Sequence, residues 1–431
     1  MRRAGSTSSI QRTKDHAMES FWISEEVEVT KFHTSLPGTP VLAAMRGKHF
    51  QVQGTTAEVL RLLTVRRYSL EEIISHVQQS QPATRFEDVK EALEGLIEKR
   101  IIGSSSIARD NPAPKRSKLR DYLFNGYFVA RLPLFSHRIL LPVTSRLASI
   151  CQPRLMAILV PLMFFFQVYF FYSSSHTVLL GLRKLDPEGL LWLLFFNYLG
   201  LLLHELGHAA ACVRCGVRHG VIGFAIYLIF PAFYTDVSEA WRLDRAKRMV
   251  VDGAGIYLSL LCATIASVLW WLQHNTIAGV VAAFYDVTVL ANLNPFIRMD
   301  GYWLLSDALG VPNMMTANRN LLRWVLLRPL GRRIETPVIF GLPPKLRSIY
   351  FVYFILFCGF VGYFGTMFYV WYLPRLIRFY PELISQFIAA CHQHQITQPA
   401  LAFLRLAFNA VPIIGPSLYL YNLLARLLRK A

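Results

Sequence analysis

His204, Glu205 and His208 are the residues best suited to chemistry, and they form a His-Glu-x-x-His pattern at the end of the apolar run 189–203. On a helix, residues four apart share one face, so both imidazoles can bind one zinc ion while Glu205 lies beside it. A polar group inside a membrane-length apolar segment needs a compensating role. The pattern therefore predicts a zinc site within a membrane.

A catalytic zinc ion takes three protein ligands and leaves a fourth position for water. Asp300 is the best candidate for the third ligand, because Pro295 and Gly301 allow the chain to leave the helix and turn back toward the metal. Asp286 lies about 15 Å too deep in its span at the rise of a helix, and Asp252 is expected to cap a helix. The remaining competitors are expected to lie around the ligands, and they are Asp236 and His219.

Glu205 is the predicted general base: its carboxylate takes a proton during attack on a peptide carbonyl and passes it to the leaving amine. Asn292 and Asn294 lie just before the turn that leads to Asp300. Either amide can donate a hydrogen bond to the oxyanion of the tetrahedral intermediate. The alternative is that both asparagines only cap a broken helix end.

The composition indicates a polytopic membrane protein that carries a soluble portion. Of the 431 residues, 54% are hydrophobic and only 17% are charged, whereas a soluble domain has about 25% charged residues. The formal net charge is +18, but the basic residues cluster beside apolar spans, as in cytoplasmic loops that face anionic lipid. Nucleic acid is therefore not an expected partner.

The six cysteines are spread along the chain, and Cys212 and Cys215 form a Cys-x-x-Cys pair just beyond the two histidines. Such a pair can be a redox centre or a further metal site. However, the chain has no second Cys-x-x-Cys pair and no thioredoxin-like context around this one. Free thiols are therefore the expected state.

The chain is predicted to divide into a disordered amino terminus (1–20), a winged-helix domain (21–107), a basic linker with interfacial helices (108–150) and a transmembrane domain (151–431). In the winged-helix domain, Ser69 and Glu72 form a capping box. The periodicities there predict two strands, three helices and a closing strand, over Glu26–Val29, His49–Val52, Thr56–Leu63, Leu70–Gln79, Phe86–Lys99 and Ile101–Ile102.

Apolar runs predict about six membrane spans, over Leu155–Tyr172, Gly189–Cys212, Val250–Leu272, Ile277–Leu293, Ile349–Leu373 and Leu401–Leu424. Lysine and arginine are concentrated before the first span and after the second and fourth spans. This asymmetry predicts that both termini and the His-Glu-x-x-His end of the second span face the cytosol of a cell membrane. The predicted fold class is a mainly α polytopic membrane protein with a small α+β amino-terminal domain.

The zinc helix and the run Asn-x-x-Pro-x-x-x-x-Asp-Gly that starts at Asn292 together resemble the site-2 protease family of intramembrane metalloproteases (peptidase M50). The resemblance implies that His204, His208 and Asp300 bind zinc, that Glu205 is catalytic and that Asn292 contacts substrate. It also implies a strand or hairpin within 216–234, where a re-entrant loop is the alternative. Many members have proline where this chain has Arg298, which leaves the shape of this loop open.

The longer strings 234–241 and 294–303 resemble a bacterial subgroup of peptide zinc metalloproteases, which often accompany gene clusters for ribosomally made modified peptides or secretion adaptors. The amino-terminal domain resembles the PqqD-type fold, which binds leader peptides. These resemblances imply a zinc endopeptidase that acts on a peptide or small precursor, with the lipid bilayer and an exporter or peptide-modifying enzyme as partners. The alternatives are a regulatory intramembrane protease and a non-catalytic partner of an exporter.

Overall fold

A computed structural model describes residues 20–36, 40–45, 48–82, 84–104, 128–183, 185–227, 230–331 and 334–392, with residues 399 and 402. The described chain is mainly helical. It divides into two units, one formed by residues 1–125, 130–225 and 232–310 and the other by residues 126–129, 226–231 and 311–431. The predicted leader up to residue 19, most of the predicted linker and, apart from residue 402, the predicted sixth span lie outside the described residues.

The amino-terminal region, residues 20–104, contains two antiparallel three-stranded sheets and three helices. The sheets have the strand orders β5-β1-β6 and β2-β3-β4. The strands are β1 (Ser20–Ile23), β2 (Val27–Lys31), β3 (Val41–Met45), β4 (Lys48–Val52), β5 (Tyr68–Ser69) and β6 (Ile102–Ser104). The helices are α1 (Gly54–Val65), α2 (Leu70–Ser80) and α3 (Phe86–Glu98), and their apolar faces bury a common core.

The three predicted helices of this region are confirmed, and so is the capping box. The Ser69 hydroxyl accepts a hydrogen bond from the Glu72 amide at 3.3 Å, and the Glu72 carboxylate accepts one from the Ser69 amide at 2.9 Å. The prediction of two leading strands was incomplete, because β1, β3 and β5 were missed. Strand β3 is the middle strand of its sheet and buried along Val41–Ala44, so it lacks the alternation of a half-buried strand. The winged-helix interpretation stays a prediction.

Six helices account for most of the rest of the first unit. They are α4 (His137–Leu147), α5 (Pro153–Arg183), α6 (Pro187–Arg214), α7 (Arg245–Gln273), α8 (Thr276–Asn292) and α9 (Asp300–Leu309). Four of them, α5 to α8, are apolar. Helix α7 is the centre of this arrangement, because it packs against α5, α6, α8 and α9. A polar contact joins α7 to α5: the Ser267 hydroxyl donates to the Gln167 amide oxygen at 3.0 Å.

A third sheet with the order β7-β8-β9 is formed by β7 (Phe128–Phe135), β8 (Ile222–Tyr227) and β9 (Phe230–Thr235). Segment 216–234 therefore contains strands, as the resemblance implied, and the re-entrant loop is disfavoured. A short 3-10 helix, Ser238–Arg242, follows β9 and leads into α7. Asp244 caps α7, with its carboxylate accepting from the Lys247 amide at 3.0 Å.

The second unit contains α10 (Met314–Leu327), α11 (Pro344–Thr366) and α12 (Leu373–Cys391), with a π-helical turn, Met367–Tyr372, between the last two. Its buried contacts include a tyrosine–asparagine group. The Tyr350 hydroxyl donates to the Asn318 amide oxygen at 2.6 Å, and the Asn318 amide donates to the Tyr353 hydroxyl at 3.3 Å. These bonds satisfy polar groups between α10 and α11.

Four stretches of helix in the described part of the chain are long and apolar enough to cross a membrane: Pro153–Arg183, Pro187–Arg214, Arg245–Gln273 and Pro344–Cys391. They correspond to the predicted first, second, third and fifth spans. The predicted fourth span forms the shorter apolar helix Thr276–Asn292. Large apolar side chains of α5 are exposed, for example Phe165 at 71% and Tyr172 at 87%. These features are consistent with a membrane protein, and the number of six spans stays a prediction.

Candidate metal centre

The two histidines lie in the second half of α6, where the helix meets α7. Gly207 makes the close approach possible, because a Cβ atom there would lie 2.5 Å from the Ala254 carbonyl oxygen of α7. His204 and His208 are only 5% and 8% exposed. Their Nε2 atoms lie 3.2 Å apart. The four-residue spacing thus directs both imidazoles to one point, as the sequence predicts.

Asp300 reaches the same point from the first residue of α9. Helix α8 ends at Asn292, a turn follows, and α9 begins at Asp300. Gly301 lets the start of α9 lie directly against the end of α8, because a Cβ atom there would lie 2.8 Å from the Asn292 carbonyl oxygen. Asp300 Oδ2 consequently lies 2.9 Å from His204 Nε2 and 3.4 Å from His208 Nε2.

The three atoms fit a zinc ion in both spacing and chemistry. They are 2.9 to 3.4 Å apart, and a tetrahedral zinc ion with bonds of about 2.0 to 2.1 Å holds its ligand atoms about 3.3 Å from one another. Within the described ranges, His204, His208 and Asp300 are the group of His, Cys, Asp or Glu that could hold a metal ion. Two imidazoles and a carboxylate are a ligand set that zinc prefers.

Hydrogen bonds to the far side of each ring leave the Nε2 atoms free for a metal. His208 Nδ1 lies 2.8 Å from the Val251 carbonyl oxygen, which can only accept, so the proton of a neutral His208 is on Nδ1. His204 Nδ1 lies 2.9 Å from the Ser259 hydroxyl. No hydrogen-bond donor among the described residues satisfies the buried Asp300 Oδ2. A metal cation at this point would satisfy all three atoms.

The charge state of Asp300 agrees with a ligand role. Burial disfavours its carboxylate, but positive charge on the rings of His208 and His204 favours the charged form more strongly, and a cation held by neutral rings would act in the same direction. The pKa of Asp300 therefore lies below its usual value, and the residue is a carboxylate at neutral pH.

Helix α7 contributes three residues that the sequence analysis missed. Val251, Gly255 and Ser259 follow one another at steps of four, so they lie on the face of α7 that packs on α6. A Cβ atom at Gly255 would lie 2.3 Å from His208 Nε2 and 2.7 Å from His204 Nε2. The Gly-x-x-x-Ser spacing was a visible signal, but nothing in the sequence showed which helix this face contacts.

Glu205 lies next to the ligands and is half-buried. Its carboxylate interacts electrostatically with His208, His204 and Asp300. The Thr235 hydroxyl at the end of β9 donates to the Glu205 backbone carbonyl at 3.0 Å. This bond ties the strand to the residue predicted as the base.

The two predicted oxyanion donors differ in their partners. The Asn292 amide donates to the Thr288 carbonyl of its own helix at 3.1 Å, and its side chain is 8% exposed. The Asn294 side chain accepts from the Phe296 amide at 2.9 Å and so stabilises the turn. Asn294 therefore stabilises the turn after α8, whereas Asn292 is a buried residue at the end of α8.

The competing candidates do not belong to the group of three ligand atoms. The prediction that Asp252 caps its helix was wrong, because α7 begins at Arg245 and Asp252 lies two turns inside it. Asp236 accepts from the Ser238 amide and hydroxyl. His219 Nδ1 bonds the Gly220 carbonyl, and its ring packs on that of His137. Asp286 lies within α8, and neither it nor the other competitors belong to the metal-binding group.

The cysteine pair near the site consists of free thiols. Cys212 is buried and Cys215 is partly buried, and neither forms a disulfide. Cys215 lies just beyond the end of α6, and burial raises the pKa of its thiol. A raised pKa lowers the thiolate fraction and with it the reactivity.

One comparison with known proteins gives a match. The chain is similar to a protein of Bacillus subtilis (strain 168) named "Putative peptide zinc metalloprotease protein YydH", with 26% identity over 151 residues. The match covers 34% of this chain and 59% of that relative, so it spans about three fifths of the relative's length. No family model and no solved structure matches the chain. The name of that relative refers to zinc, and this chain has a His-His-Asp group that could hold a metal ion.

Proposed function

We propose that this chain is a membrane-embedded zinc endopeptidase that cleaves a peptide or small protein precursor at the cytosolic membrane face. The observation that carries the proposal is the convergence of His204, His208 and Asp300, with Glu205 beside them, at the end of an apolar helix. Maturation or export of a ribosomally made modified peptide is the proposed setting. The likeness to a protein named as a peptide zinc metalloprotease supports the peptide substrate.

The residues of the site have distinct tasks in this reaction. His204, His208 and Asp300 would hold the zinc ion, which supplies Lewis acidity that polarises a peptide carbonyl and makes water more acidic. Glu205 accepts the proton of the attacking water and passes it to the leaving amine. The Glu205 carboxylate interacts electrostatically with all three ligands, and this interaction supports the role of general base.

The strands beside the site offer a way to hold an extended substrate. Strand β9 is the outer strand of its sheet, and Thr235 at its end bonds the Glu205 carbonyl. A peptide that adds to such an edge gains main-chain hydrogen bonds, which position it without a sequence requirement. Asn292 is a proposed further contact with substrate, and its amide would have to leave the Thr288 carbonyl.

The amino-terminal region is the proposed capture domain for part of the substrate. In the sheet β2-β3-β4, β2 and β4 are the outer strands, and an outer strand can pair with an extended leader peptide. Strand β4 packs on the 3-10 helix Ser238–Arg242, and β2 is joined to the same helix by the ion pair between Glu28 and Arg242. An exporter or a peptide-modifying enzyme is the proposed partner protein.

A cleavage assay with a matched variant tests the proposal. The purified full-length protein, in detergent micelles with zinc, is incubated with a library of bacterial peptides whose amino groups are blocked. Mass spectrometry then quantifies new amino termini. Glu205→Gln keeps the size of the side chain and all three zinc ligands, so we expect zinc content to stay near one per chain while cleavage falls about 10²- to 10⁴-fold.

Metal removal provides the second arm. Treatment with 1,10-phenanthroline should abolish cleavage by the wild-type protein, and added zinc should restore it. Equal cleavage by the wild type and Glu205→Gln, or cleavage that survives removal of the metal, would contradict the proposed mechanism.

A further inference from the structure

The segment that follows β2 joins the amino-terminal region to the helices of the metal site. The Ser35 amide donates to the Gly310 carbonyl oxygen at 3.0 Å, just beyond the end of α9. The Thr34 hydroxyl donates to the same oxygen. Arg245 at the start of α7 donates to the Ser35 hydroxyl and to the Ala308 carbonyl. The segment thus contacts both α7 and α9.

Arg248 lies at the centre of this junction and is only 4% exposed. Its guanidinium bonds Asp307 Oδ1 through Nε at 2.8 Å and Nη2 at 2.7 Å. Nη2 also donates to the His33 carbonyl at 3.0 Å, and Nη1 donates to the Leu243 carbonyl at 2.9 Å. The guanidinium further stacks over the Phe32 ring at 4.8 Å. One side chain therefore holds α9 and the amino-terminal segment at once.

Both ends of this junction lead directly to zinc ligands. Arg248 lies about one turn before Val251, whose carbonyl orients His208. Asp307 lies about two turns after Asp300 on the short helix α9. Because a helix is rigid over this length, a shift of Asp307 moves Asp300 as well.

The Arg248–Asp307 pair is buried, so it has little tolerance for the loss of a partner. Its two side chains are 5% and 15% exposed, and removal of one of them leaves an unpaired charge that must find water. A second ion pair at the same junction differs in this respect. Arg242 bonds Glu28 at 2.6 Å, but these side chains are 32% and 57% exposed, and exposed pairs contribute little.

We propose that Arg248 is a positioning residue that makes the docked amino-terminal region part of the metal site. It fixes α9, and with it Asp300, only while the segment around His33 is in place. Capture of a peptide at β2, the strand that immediately precedes this segment, is thereby transmitted to the zinc ligand. This inference rests on the proposed function.

Two measurements on the full-length protein in lipid nanodiscs test the coupling. Zinc affinity is measured by competition with the chelator 4-(2-pyridylazo)resorcinol, and docking is measured by hydrogen–deuterium exchange of peptides over residues 32–36 and 300–309. Arg248→Met retains much of the volume but no donor, and we expect at least about a tenfold loss of zinc affinity. Exchange should rise in both peptides.

Matched variants separate the coupling from general damage. Arg248→Lys retains the charge but cannot reach Asp307, His33 and Leu243 together, so it should give an intermediate loss even if Arg248→Met folds poorly. Arg242→Ala removes the exposed ion pair of the same junction and should change neither zinc affinity nor exchange at 300–309.

The outcomes are distinct. Raised exchange at 32–36 with unchanged zinc affinity in both Arg248 variants would overturn the coupling and leave the proposed function intact. An equal loss of zinc affinity in Arg242→Ala would also overturn the coupling, because any disturbance of the junction would then be enough to weaken zinc binding. If the wild-type protein bound no zinc at all, the proposed function would fall, and the coupling to Asp300 with it.

Discussion

Helices α6 and α7 lie side by side and have nearly the same length, 28 and 29 residues, yet they serve the metal site in opposite ways. Helix α6 supplies two of the three candidate ligands and the predicted base from a single five-residue pattern. Helix α7 supplies no ligand, but its Val251 carbonyl and Ser259 hydroxyl orient both rings, and Gly255 leaves the space in front of them open.

The comparison separates two requirements of a metal site. Ligand identity is a local property, because two residues four apart on any helix face the same way. Ligand orientation is a tertiary property, since an imidazole turns about its side-chain bonds until a second partner fixes its tautomer and plane. In this protein each ring has one such partner, and both partners belong to α7.

We expect the largest loss of zinc affinity from Gly255→Ala. The new methyl group would occupy the space of His208 Nε2 and press on His204 Nε2. Overpacking of this kind costs about 1 to 3 kcal/mol, which corresponds to roughly a 5- to 150-fold loss of zinc affinity. Competition with a chromophoric chelator measures the loss.

Gly253→Ala is the matched control for this prediction. It adds the same methyl group to the same helix, where the Cβ atom would meet nothing within 4 Å. Its zinc affinity should equal that of the wild type. If the two alanine variants bound zinc equally well, α7 would not limit the space around the ligands.

Ser259→Ala should produce the next largest effect. It removes the hydrogen-bond partner of His204 Nδ1 but leaves every ligand in place. Loss of such a partner usually costs about 10- to 100-fold in metal affinity or activity. Zinc titration and cleavage rates measured on one preparation would show this loss.

Ser267→Ala distinguishes orientation from stability in this case. Ser267 lies two turns further along α7 and donates to Gln167 at 3.0 Å. Its removal should lower the thermal unfolding temperature without a change in zinc affinity. The opposite pattern, in which only Ser267→Ala weakens zinc binding, would argue against orientation by Ser259.

Thr235→Val should cause the smallest loss of activity. Thr235 belongs to β9, so this variant tests a contact that the sheet, and not α7, makes with α6. It removes the hydrogen bond to the Glu205 carbonyl at 3.0 Å. A bond of this kind contributes about 0.5 to 1.5 kcal/mol, so kcat/KM should fall roughly 2- to 10-fold with unchanged zinc affinity. Thr235→Ser retains the hydroxyl and should restore the rate; a rate as low as that of valine would contradict the role of the bond.

Much of the fold was predictable because its signals are local. The capping box at Ser69 and Glu72 and the three helices of the amino-terminal region follow from short-range periodicity and from hydrogen bonds between near neighbours. Strand β3 was missed because it is buried along most of its length and carries no alternation. The cap of α7 was also misplaced: Asp244, which ends the preceding loop, fills the position predicted for Asp252.

The sequence by itself determined which side chains can hold the metal, because the spacing of His204 and His208 and the break before Asp300 are properties of consecutive residues. Only the tertiary structure decided what surrounds them. The face of α7 with Gly255 and Ser259, and the junction through Arg248, depend on contacts between segments far apart in the chain. Such contacts arise from side-chain packing between helices. Several helix faces in this sequence are equally apolar, so the sequence does not show which two of them pack together.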